Sequence, residues 1–162
     1  MTISKLRSSK DYFDQVLKPN YLAFANSPST FQLVYNTAAP LFHMHEWVFN
    51  LDKAKAEAAL GVTFQKKSDV WSEVRNAVPN AGFIRDIANS SKHVALTHSS
   101  TSMTHSANTF IVDSTLSGGA TLSGTLRLST PNVVAIEGEP AVSFDACAAG
   151  VYNFWEGLVR QL

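Results

Sequence analysis

The chain predicts an α+β domain, an antiparallel helical bundle with a three-stranded antiparallel meander inserted before the C-terminal helix. Three observations carry this expectation. Apolar residues recur three and four apart through most of residues 5–96. From Thr109 the period shortens toward two, and helical spacing returns between Phe144 and Leu162. The length of 162 residues suits one domain with a core of its own. It divides into a helical part at about 5–96, a meander at about 107–137 and a closing helix at about 141–162.

Lys5 to Phe24 reads as a first helix through Tyr12, Phe13, Val16 and Leu17, with Pro19 as a kink or break. Asn26-Ser27-Pro28-Ser29 supplies a turn and a cap. Phe31, Val34, Ala38, Leu41, His45 and Val48 then trace a seam toward a partner helix, with a bend expected at Pro40. Leu51 to Leu60 is an Ala- and charge-rich helix closed by Gly61. Ser68 is placed to cap a short helix ending at Val78 before Pro79-Asn80, and a further helix covers about Asn80 to Leu96.

Ser, Thr and His residues between Thr97 and Ala107 read as a loop. Thr109 to Leu116 and Leu122 to Leu128 form a hairpin about Ser117-Gly118-Gly119-Ala120, and Val133 to Ile136 adds a third strand. In the closing helix, Phe144, Ala148, Val151, Trp155, Leu158 and Leu162 make a second seam.

Composition bounds the function. No window approaches the roughly 18 apolar residues of a membrane span, and Met1 to Lys10 lacks the apolar core of a secretory signal, so a cytoplasmic setting without membrane association is expected. Thirteen basic and thirteen acidic residues cancel, which argues against a broad electrostatic grip on nucleic acid. Cys147 is the one cysteine, so there is no disulfide framework, and its alanine neighbours suggest a small buried residue in a helix.

The stretch from Phe83 to His93 holds the strongest candidate site. At about 100° per residue, Ile84, Ile87 and Ala88 form a packing stripe, while Asp86, Asn89 and His93 run up a neighbouring face, with Arg85 and Lys92 on the flank. An acid, an amide and an imidazole one turn apart can share a hydrogen-bond network or a ligand. The other histidines are His43, His45, His98 and His105. His43 and His45 point about 200° apart on a helix and cannot close on one ion, so no metal set is assigned and no cofactor is expected. His45 falls on the helical seam, and His43 is spaced to stack one turn below Trp47.

His43-x-x-Glu46-Trp47, followed some forty residues later by Arg85-Asp86-Ile87-Ala88-Asn89-x-x-Lys92-His93, resembles a group of uncharacterised bacterial helical proteins that is itself similar to the HEPN superfamily of nucleotide-binding and RNase domains. The resemblance covers roughly residues 30–96. It implies a homodimer acting on RNA or nucleotides without metal. Arg85, Asp86, Asn89 and His93 would be the catalytic residues, and His43, His45, Glu46, Trp47 and Lys92 would bind. In such a site His93 acts as general acid or base, Arg85 stabilises charge on a pentacoordinate phosphate, and Asn89 orients the imidazole. Two other readings stand beside it. One is a non-catalytic interaction protein whose polar ladder specifies packing, and the other is a small metal-dependent hydrolase using histidines of the central region.

Overall fold

A computed structural model describes residues 5–26, 31–90, 110–111, 133–135 and 142–162. Helices take most of them. α1 (Ser9–Tyr12) runs through a π segment (Phe13–Leu17) into α2 (Lys18–Asn26), followed by α3 (Phe31–Leu51), α4 (Lys53–Leu60), α5 (Lys67–Ala77), α6 (Gly82–Ser90) and α7 (Phe144–Val159). Extended backbone is confined to β1 (Phe110–Ile111), β2 (Val133–Ala135) and β3 (Val142–Ser143), which pair antiparallel in that order. The α+β expectation is therefore corrected: the described residues form a mostly helical domain, and the expected three-stranded meander is not seen among them. Two- and three-residue pieces are too short to bury a face of their own. A period of two in the sequence does not by itself supply the partner strands and the covering layer that a sheet needs. The expected strand Leu122 to Leu128 lies outside the described residues, as do the loop at 97–107 and residues 91–96 of the expected helix.

α3 is the axis of the bundle and touches α1, α2, α4, α5, α6 and α7. Its seam buries Val34, Ala38, Leu41, Met44 and Val48 to within 1% of complete. The helix continues through Pro40. α7 lays Phe144, Ala148, Val151, Trp155 and Leu158 against the same core. Trp155 is fully enclosed, and its Nε1–H donates to the Leu41 carbonyl oxygen at 2.8 Å, tying α7 to α3. Phe24 of α2 meets Phe144 edge-on, ring centroids 5.0 Å apart.

The helix ends are set by particular side chains. Ser8 accepts from the Asp11 N–H at the start of α1, and Ser143 from the Ala146 N–H at the start of α7. α5 is not capped by Ser68 as its spacing suggested. Asp69, one residue further on, turns its carboxylate back onto the N–H groups of Gln65 and Lys66 at 2.8 and 3.0 Å. Gly61 ends α4 with φ 69°, a left-handed position that suits glycine. Pro19 lies two residues past the end of the π segment, whose widened turn already departs from i→i−4 bonding, and the helix passes the proline without ending.

Two glycines of α7 give opposite expectations. A Cβ on Gly150 would lie 2.7 Å from Cγ1 of buried Val78, a β-branched side chain stiff at χ1, whereas nothing lies within 4 Å of one on Gly157. Gly157→Ala is expected to stabilise by about 0.5–1 kcal/mol through helix propensity. Gly150→Ala is expected to destabilise by about 1–2 kcal/mol, because overpacking outweighs the same propensity gain. Denaturant midpoints of the two variants against the parent check both signs.

Candidate functional site

Asp52, between α3 and α4, fixes the geometry of a surface that combines charge, aromatic area and a cavity. Its Oδ2 accepts the Ser9 N–H at 3.0 Å across 43 residues of sequence, and its Oδ1 takes Lys55 Nζ at 3.1 Å. Burial pushes this carboxyl up, but the Ser9 and Lys55 hydrogen bonds outweigh it and hold the group below the usual carboxylate range. The start of α1 is thereby pinned to the end of α3. Three residues on, Tyr12 stacks on Trp47 with ring centroids 4.6 Å apart and planes 13° from parallel. Burial and the nearby Glu46 carboxylate push the Tyr12 hydroxyl up to about 12, so it stays protonated.

Glu46, Trp47, Asn50 and Leu51 share one face of α3 and line a cavity of about 380 Å³. Glu46 accepts Lys67 Nζ of α5 through Oε1 at 2.8 Å, and that bond is the main reason its carboxyl lies below the ordinary range. Leu51 is 47% exposed at the rim, an unusual position for a large aliphatic side chain in this domain. Glu46 and Trp47 were both picked out in the sequence. Asn50 and Leu51 were not, since neither residue type signals a site without its neighbours.

His45 belongs to the opposite environment. It is 4% exposed, its Nδ1–H donates to the Phe42 carbonyl oxygen at 2.5 Å, and its ring lies 4.8 Å from Phe42 and 6.0 Å from Trp71. Burial holds its pKa below the ordinary 6.5, against the opposing effects of Phe42 and Glu46. The neutral imidazole is the form that folds. The unfolded chain takes up a proton near 6.5, so stability present above that pH is lost as pH falls through it and levels off beyond the lower folded-state value. Melting between about pH 7.5 and about pH 5.5 is expected to show this decline, with a shallower slope in His45→Gln. His43 is half-buried and sits beside Phe42, with ring centroids 5.2 Å apart, rather than under Trp47, whose stacking partner is Tyr12.

The residues chosen from α6 separate. Asp86 is fully buried, while Arg85 and Asn89 are half-buried, and Arg85, Asp86 and His43 all make contacts of their own. Ile84, Ile87 and Ala88 pack into the core between α3 and α7. Lys92 and His93 lie outside the described residues. Among the described residues no three His, Cys, Asp or Glu side chains group closely enough to hold a metal ion.

One carboxyl escaped the sequence reading. Asp145, in the first turn of α7, is pushed up to about 6 by burial, and its Oδ2 has no hydrogen bond among the described residues. Burial first, and then this carboxyl, raise the hydroxyl pKa of Tyr21, which stacks on Tyr152 at 4.1 Å. Its signal in the sequence, an acid two residues before a cysteine, resembles any helix N-terminus. Cys147 itself is buried and its thiol is pushed up to about 11, which suits packing rather than nucleophilic chemistry.

No helix of the described residues is long and apolar enough to cross a membrane. No protein-family model, no curated protein and no solved structure matches the chain.

Proposed function

We propose that this domain is a non-catalytic binding module that presents the α3 cavity to a ligand. The observation that carries the reading is the cavity of about 380 Å³ lined by Glu46, Trp47, Asn50 and Leu51, within the size range of small-molecule and side-chain sites. A charged group, an aromatic face, an amide and an exposed aliphatic converge there. By contrast, His45 and Asp86 are absorbed into helix packing, where polar groups specify the arrangement of neighbours. A cytoplasmic setting belongs to the same proposal and is supported by the single unpaired cysteine. The test is a mixed-charge fragment set added to ¹⁵N-labelled protein. Coincident amide shifts at Glu46, Trp47, Asn50 and Leu51 are expected, and shifts confined to α6 would overturn the reading.

A second reading keeps the RNA or nucleotide chemistry of the HEPN resemblance, with Arg85 and His93 acting in a homodimer. It is favoured by Arg85 and Asn89, one turn apart on α6 and both partly accessible. RNA incubated in chelator should then be cleaved by the parent and not by His93→Ala. Equal behaviour of the two removes it.

A further inference from the structure

We propose that the α3 cavity selects an organic cation, an alkylguanidinium or alkylammonium group seated against the Trp47 indole with Glu46 as its counter-charge. The inference rests on the cavity being the binding site and goes on to name what fills it. Three independent features favour positive charge there. Glu46 carries an ionised carboxylate; Lys67 engages Oε1, and Oε2 has no hydrogen bond among the described residues. Trp47 offers the best aromatic surface for a cation, and the Tyr12 ring stacked on it holds the indole in place. The cavity also sits on the last turns of α3, a 21-residue helix whose C-terminal carbonyls present the negative end of the macrodipole.

An anion is the competing guest, since Lys67 stands near. Lys67 is not among the lining residues, and Lys53, just beyond the end of α3, lies over the Phe49 ring at 5.1 Å and faces Glu57 at 3.7 Å. No basic side chain lines the cavity to hold an anion. Asn50 supplies both a donor and an acceptor for the polar stem of the guest, and Leu51 covers its methylenes.

The same headgroup reaches the site either as a free small molecule or as the side chain of a peptide. The measurement is the Trp47 indole ¹⁵N–¹H resonance, assigned with Trp47→Phe; the other two tryptophans, Trp71 and Trp155, are 5% and 0% exposed. Four probes are titrated into the full chain: tetramethylammonium, N-acetyl-arginine amide, an acetylated Gly-Arg-Gly amide, and the neutral citrulline analogue of the amino acid amide. Saturable shifts at millimolar concentration are expected with the cations, with the citrulline compound at least about tenfold weaker, equivalent to ~1.4 kcal/mol. Glu46→Gln, a substitution on the protein surface, is expected to remove most of that preference. Tighter binding of the tripeptide than of the free cations assigns the guest to a peptide, and the reverse assigns it to a small molecule. Equal shifts with arginine and citrulline compounds overturn the cation while leaving the cavity a binding site. An indole resonance that no probe or fragment moves overturns both.

Discussion

Trp155→Ala is expected to be the most damaging single substitution in the domain, costing about 3–5 kcal/mol. The indole is fully buried on α7, one edge against Phe154 at 5.1 Å, with its N–H given to the Leu41 carbonyl oxygen at 2.8 Å. Truncation removes the largest fully buried side chain, leaves a cavity between α7 and α3, and cuts the hydrogen bond that orients the two helices. For a chain of this length each kcal/mol moves Tm by about 2–4 °C, so a fall of roughly 10 °C or more is expected. Trp155→Phe separates the two contributions. It keeps most of the ring volume and removes the donor, and is expected to cost about 1–3 kcal/mol. A phenylalanine variant as unstable as the alanine one would mean that packing volume is a minor part of the role.

The two seams that meet at Trp155 were legible because large apolar residues recur at three and four in α3 and α7 without interruption. The end of α4 at Gly61 was legible for an equally local reason, the left-handed conformation that favours glycine. Distance in sequence hid the rest. The bond from the Ser9 N–H to Asp52 spans 43 residues, and without it nothing places Tyr12 on Trp47 or gives the α3 cavity its aromatic backing. α6 shows where a helical pattern stops being informative. Its polar residues suggested an accessible ridge; between α3 and α7 Phe83, Ile84, Asp86, Ile87 and Ala88 are buried, whereas Arg85 and Asn89 are half-buried. Residue type alone cannot distinguish a polar group that faces a ligand from one enclosed by neighbouring helices. The meander was read from alternation such as that of Phe110, Val112 and Leu116, and a period of two in one stretch says nothing of the neighbours a strand must pair with and pack against.

Asp86 is where the two functional readings make different predictions about stability. Its carboxyl is fully enclosed on α6 and engages other groups there. Enclosed polar groups persist when they engage a partner, so deleting one leaves that partner unsatisfied away from water. Asp86→Ala is therefore expected to cost about 3 kcal/mol, and Asp86→Asn less, because the amide keeps the shape and one acceptor oxygen. Asn89→Ala, one turn on and half-buried, is expected to cost under about 1 kcal/mol. That ordering follows from a carboxylate that holds α6 in place. A reacting group would behave otherwise: its alanine variant would melt near the parent and lose only an activity, as active sites trade stability for function. Chemical denaturation of the three variants, read at their midpoints with m-values compared, decides between these roles. Should Asp86→Ala unfold at the parent's midpoint, the carboxyl is spared a packing role and the RNA-directed reading of α6 regains its central acid.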